Sequence, residues 1–143
     1  MEVRYFDNSA TTRIKEEVLT EMFPYLSREY GNPSSIYTLG RSAKKAIEDA
    51  REKVANLINC KPSEIYFTGC GSESDNMALK GIAYANIEKG KHIITSKIEH
   101  PAVLNSCKKL EKRGFEVTYL NVDEKGFVNL SELENAIRPD TIL

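Results

Sequence analysis

From Ile65 onward the chain alternates short β-rich runs with amphipathic helical stretches, and glycine and proline punctuate each change. Ile65-Tyr66-Phe67-Thr68 is the first run, and Gly69-Cys70-Gly71-Ser72 is a turn after it. Residues 73–86 follow a helical period, with Met77, Ala78, Ile82 and Ala85 on the apolar side. Lys89-Gly90-Lys91 closes that helix and His92-Ile93-Ile94-Thr95 forms the next strand. Pro101 suits the first turn of a helix over 101–113, Gly114 ends it, and residues 115–120 are strand-like. Ser131 and Glu134 have capping-box spacing for a short helix that stops before Pro139. This order predicts an α/β fold with a mostly parallel sheet flanked by helices. Thr141-Ile142-Leu143 begins another apolar strand, which suggests a truncated sheet with an open edge.

The N-terminal part has a different character. Residues 1–35 read as an irregular arm carrying one helix near 15–25, whose Val18, Leu19, Met22 and Phe23 share a side. Gly31-Asn32-Pro33-Ser34-Ser35 breaks the chain. The second region, 36–143, opens with a long amphipathic helix over 38–58. Its Ala43, Ala46, Ile47, Ala50, Val54, Leu57 and Ile58 recur at helical steps, opposite a solvated face of Lys44, Lys45, Glu48, Asp49, Arg51 and Glu52.

Charge and apolar pattern exclude several classes of function. Lys and Arg number 20 against 21 Asp and Glu, so no global field recruits nucleic acid or an anionic membrane. No apolar run approaches the ~18 residues of a membrane-spanning helix. Met1-Glu2-Val3-Arg4-Tyr5 lacks the charged-then-apolar pattern of a secretory signal, so the expected location is cytoplasmic. The 3 cysteines, Cys60, Cys70 and Cys107, form no Cys-x-x-Cys pair and read as reduced, partly buried thiols; Cys70 stands apart because it lies in the glycine turn.

That turn carries the clearest chemistry. A glycine-rich connection between strand and helix leaves helical N–H groups unpaired, and with the hydroxyls of Ser72 and Ser74 they suit a phosphate. An ordinary strand–turn–helix link accounts for the same residues. The common nucleotide motifs fail on specific positions. A Walker loop needs Gly-Lys-Ser/Thr, but Gly71 is followed by Ser72 and Glu73. A dinucleotide fingerprint needs a third glycine or alanine where Ser74 stands, and an acid where Ser96 and Lys97 stand. His100 follows the 92–95 strand at its C-terminal end, the edge where ligands gather in open parallel sheets, and should face the same crevice as the glycine turn. A neutral imidazole there can stack on an aromatic cofactor or move a proton, and a plain helix-capping role accounts for the same residue. His92, at the start of its strand, is assigned no function.

Four segments lie in one register: Tyr5-Phe6-Asp7-Asn8-Ser9-Ala10-Thr11-Thr12, Gly31-Asn32-Pro33-Ser34-Ser35, Thr68-Gly69-Cys70-Gly71-Ser72-Glu73-Ser74-Asp75-Asn76 and Thr95-Ser96-Lys97-Ile98-Glu99-His100. In this order and spacing the chain resembles the cysteine desulfurases of the nitrogen-fixation and iron–sulfur-cluster type, within the class V aminotransferase group. The resemblance implies the beginning of the large domain of a fold-type I pyridoxal 5′-phosphate enzyme. It implies that Gly71 and Ser72 bind the cofactor phosphate, that His100 lies against its ring, and that the Asp7-to-Thr12 arm borders the site. It also implies a homodimer, L-cysteine as substrate, a sulfur-acceptor or scaffold protein as partner, and a reaction giving L-alanine and a persulfide. The family often has a histidine shortly after Asn-Pro-Ser-Ser; here Tyr37 occupies that stretch, which is given no role. The family's Ser-x-His-Lys segment is missing, because the 2 histidines precede Ile93 and Pro101. The aspartate for the ring nitrogen and the sulfur-receiving cysteine have no counterpart either, so inactivity of the chain alone is expected. A selenocysteine lyase, a related aminotransferase, or a non-catalytic half pairing with a separate second half would share the same cradle.

Overall fold

The protein is described by a computed structural model covering residues 4–143; the first three residues of the expected N-terminal arm lie outside the described residues. The chain forms two compact units, Met1–Tyr66 and Phe67–Leu143.

In the first unit, α1 spans Glu16–Ser27 and α2 spans Thr38–Leu57. None of the residues of α1 is buried, and Val18, Leu19, Met22 and Phe23 remain exposed. The charged side of α2 is solvated as expected except at Arg51, which is half-buried; Lys45 pairs with Asp49 at 2.8 Å and Arg51 with Glu48 at 3.3 Å. Asn59 ends α2 at φ 56. With the next residue's N–H returning to the Ala55 carbonyl (Cys60 N to Ala55 O, 2.9 Å), it closes a left-handed C-terminal cap, a role asparagine tolerates. Residues 65–68 were expected as a strand, but no regular strand forms there. The Ile65 carbonyl is taken by the Arg51 guanidinium, and so is not offered to a strand ladder.

The second unit is the α/β part. Helix α3 covers Gly71–Ala85, β1 His92–Ser96, α4 Pro101–Glu111, β2 Glu116–Leu120 and α5 Leu130–Ala136. Strands β1 and β2 pair in parallel, with His92 opposite Glu116 and Ser96 opposite Leu120. Gly114, at φ 86, turns the chain from α4 into β2. Residues 141–143 run along the other side of β1: Ile142 N donates to His92 O at 2.9 Å and Ile94 N to Leu143 O at 2.9 Å. The core is Ala83, Ile93, Leu110 and Phe115, with Val117 and Ile142 against it. Tyr84 meets the Phe115 ring edge-on at 5.8 Å.

One cap differs from expectation. The α5 N-cap is Asn129, whose side chain accepts from Ser131 N at 2.9 Å and Glu132 N at 3.3 Å. Ser131 therefore lies inside the helix, and the Ser131–Glu134 box does not form, because asparagine two residues earlier already takes the free N–H groups.

His92, given no function above, has a structural one. It is 1% exposed. Its Nδ1 pairs with Thr141 Oγ1 at 2.7 Å and its Nε2 with Thr118 Oγ1 at 2.8 Å. One ring thus joins β1 to both neighbouring segments. Burial first, and the nearby Arg138 second, hold its pKa below the ordinary 6.5, while Asp140 and Glu116 oppose them. The folded ring resists a proton that the unfolded chain accepts. The contribution of His92 to stability is therefore full above pH 6.5 and is lost as pH drops below it. Asp140 is held below its ordinary 3.8 by its hydrogen bond to Arg138, so its own loss comes only in stronger acid. His92→Leu should flatten the first of these acid slopes and cost about 1–3 kcal/mol at neutral pH, because two hydroxyls lose their partner. Melts followed by circular dichroism from neutral to acid pH check both effects; an unchanged slope in the variant would show that another group titrates.

Candidate functional site

The turn before α3 uses up most of its own polar groups. Thr68 Oγ1 donates to Cys70 O at 3.2 Å and pairs with Ser74 Oγ at 2.6 Å. Gly69 N donates to Glu73 Oε2 at 2.7 Å. Cys70 is the N-cap, fully extended at φ −166, and its carbonyl accepts from Glu73 N and Ser74 N, both at 3.1 Å. Ser74, expected to offer its hydroxyl to a ligand, instead braces the turn from within. The backbone N–H groups of Gly71 and Ser72 and the Ser72 hydroxyl have no partner among the described residues.

Gly71 has a reason of its own. Its φ lies outside the left-handed region, and a Cβ built on it meets nothing within 4 Å. The turn itself does not demand glycine there. A side chain at Gly71 would enter open space beside residues whose N–H groups are free.

His100 is the N-cap of α4, and its Nδ1 accepts from Ala102 N at 3.1 Å. That bond leaves the ring proton on Nε2 and fixes the ring's orientation. The capping reading of His100 therefore holds, and of the glycine turn it is Ser72 that shares a groove with it. Ser72 and His100 line one groove of about 510 Å³ between α3 and α4, together with Asn76, Lys80, Asn105 and Lys109. No carboxylate lines it. Two helices open at the same place, so two positive dipole ends and two ammonium groups favour an anion there. An anionic group of phosphate type fits this donor set, which offers the N–H and hydroxyl of Ser72, two ammonium groups and the His100 imidazole.

Sequence reasoning gave Asn76, Lys80, Asn105 and Lys109 no role. A signal existed: 72, 76 and 80 on one helix and 105 and 109 on the other are four-residue steps, which put each set on one face. The cysteines separate more than expected. Cys107 is buried, with burial raising its thiol pKa, Cys60 is intermediate and Cys70 is exposed. The Asp7-to-Thr12 arm belongs to the first unit, where Ala10 N returns to Asp7 O at 3.1 Å and Ser9 Oγ to Asp7 Oδ1 at 2.8 Å. Among the described residues, no helix is long and apolar enough to cross a membrane.

Comparison with known proteins follows this geometry. The family model described as aminotransferase class-V matches residues 4–143. A curated relative, cysteine desulfurase IscS of Methanosarcina thermophila, is 59% identical over 139 residues, which is 97% of this chain and 34% of the relative. Among solved structures, a NifS-like protein superposes with a TM-score of 0.91 at 47% identity, covering 96% of this chain and 38% of that one. SspA in complex with cysteine gives a TM-score of 0.90 at 44% identity, covering 97% of this chain and 40% of that one. The chain thus spans between a third and two fifths of the length of these relatives. An open space at Gly71 has a direct test. Gly71→Ala should melt at or above the parent temperature, with a gain of up to about 1 kcal/mol from the stiffer backbone; a clear loss of stability would show that the space is filled.

Proposed function

The chain belongs to the aminotransferase class-V family, and on that premise we propose that it forms the phosphate- and ring-binding part of a pyridoxal 5′-phosphate-dependent cysteine desulfurase. The observation that supports this most is the shared groove of Ser72 and His100, with free N–H groups at Gly71 and Ser72 and no lining carboxylate. Gly71 and Ser72 receive the phosphate through two backbone N–H groups and one hydroxyl. His100 lies against the ring. Its Nδ1 is committed to Ala102, so Nε2 is the nitrogen left to hold or pass a proton. When bound, pyridoxal 5′-phosphate supplies an electron sink for charge that develops on the amino-acid substrate.

The whole protein, in this reading, converts L-cysteine and an acceptor thiol to L-alanine and a persulfide. It works in the cytoplasm as a homodimer and hands sulfur to an acceptor or scaffold protein for iron–sulfur clusters or thio-cofactors. The relatives named cysteine desulfurase and the cysteine-bound SspA support that substrate class. Residues 1–35 serve as the arm and 36–143 as the first part of the large, cofactor-binding domain. The sequence given holds no Ser-x-His-Lys segment, so the residues named here bind and orient but complete no turnover.

Two outcomes are expected. First, these 143 residues alone release no alanine from L-cysteine above the rate with free cofactor; release above that rate would place a catalytic lysine among them. Second, Ser72→Ala weakens binding of pyridoxal 5′-phosphate by about 1.5–3 kcal/mol, and Gly71→Val weakens it further by filling the phosphate's space. His100→Ala lowers affinity less, since the phosphate contacts remain. Calorimetric titration of each variant checks the order, and parent affinity in both the Ser72 and Gly71 variants would end the cradle reading.

A further inference from the structure

Ser72, Asn76 and Lys80 follow at four-residue steps along α3 and all line the groove that holds His100. The Asn76 amide is held at both ends. Its nitrogen donates to the Ser72 carbonyl at 2.8 Å, and its oxygen accepts from the Lys80 ammonium. A lysine only donates and a carbonyl only accepts, so a single orientation of the amide satisfies both neighbours. The three groups run head to tail, from the positive charge on Lys80 to the peptide of Ser72, and each link polarises the next.

Helix stability does not account for this arrangement. Asparagine is a weaker helix former than alanine, and the carbonyl it reaches is one the helix ladder already serves. What the relay adds is a second hold on the Ser72 carbonyl, from an amide whose orientation Lys80 sets. It also anchors one of the two ammonium groups of a groove that contains no carboxylate.

We propose that Asn76 and Lys80 are positioning residues for the phosphate: Lys80, acting through the Asn76 amide, holds the first turn of α3 in its receiving geometry. The proposal rests on the cradle reading of Gly71 and Ser72, and its test separates the two. The probes are inorganic phosphate and pyridoxine 5′-phosphate, which has no aldehyde to react with lysine. Each is titrated into the chain while the Ser72 amide is followed by ¹⁵N–¹H correlation spectra, and melting temperatures are recorded in parallel.

Asn76→Ala and Lys80→Met should each weaken both anions about tenfold, whereas Lys80→Arg keeps most of the affinity. Asn76→Asp retains an acceptor for Lys80 but loses the donor to Ser72, and should bind as weakly as Asn76→Ala. Asn76→Ala should nevertheless melt at or above the parent temperature, because alanine is the better helix former. Lys125→Met, in a loop away from the groove, should bind like the parent. Parent-like binding in Asn76→Ala and Lys80→Met, with Ser72→Ala weakened, overturns the relay and leaves the cradle standing. Equal falls in binding and melting temperature in both relay variants mark a merely structural role and also overturn it. No binding by the parent, or no effect of Ser72→Ala, overturns the cradle and the relay together.

Discussion

Strand β1 carries hydrogen bonds on both of its edges, to β2 on one side and to residues 141–143 on the other. That double pairing makes it the fixed element of the second unit, and the position of the candidate site follows from it. His100 comes four residues after the last residue of β1, so anchoring the strand also places the start of α4. Leu110 and Ile93 press α4 and β1 into the same core, with Ala83 of α3 beside them. Full burial of side chains such as Leu110 and Ile93 stabilises by ~1.5–3 kcal/mol each. The groove between α3 and α4 is therefore set by apolar packing beneath it, and the polar groups above need only be suitably oriented.

Those polar groups divide into two kinds. Thr68, Gly69, Cys70, Glu73 and Ser74 satisfy one another inside the turn. Gly71, Ser72 and the free side of His100 are left facing solvent. The division matters because a turn that spends its hydroxyls on itself is rigid before any ligand arrives, and a preorganised site loses less entropy on binding. The Glu73 carboxylate, which would repel an anion if free, is turned onto the Gly69 N–H.

The α/β order of the second unit was legible because apolar period and turn residues agree from 71 to 136: Pro101 starts α4 and Gly114 leaves it, as read. Residues 65–68 were misjudged because β propensity says nothing about a partner strand, and the Arg51 guanidinium takes the Ile65 carbonyl. The Asn129 cap was missed for a different reason. Two capping residues stood within reach of the same helix, and only coordinates show which one meets the free N–H groups. In the site, Ser72 and His100 were visible through a glycine turn and a strand end. Ser74 was overcounted, since a sequence shows that a hydroxyl is present but not that Thr68 has claimed it. His92 was passed over because buried polar bonding across 49 residues leaves no local signal.

That same separation of 49 residues between His92 and Thr141 bears on the order in which the chain acquires structure. β1 and β2 are joined by one helix and can pair early, since their contacts close a modest loop. The other edge of β1 must wait for residues that a ribosome delivers several seconds later, at about 5–20 residues per second. During that interval His92 has Thr118 but not Thr141, and one side of β1 offers unpaired N–H and C=O groups to whatever strand is nearest. Distant pairing of this kind also slows folding in free solution, because loop closure precedes any return from the contact. A nascent copy of this chain therefore passes through a stage when β1 is half-clothed, and that stage is when a holding chaperone would matter most to it.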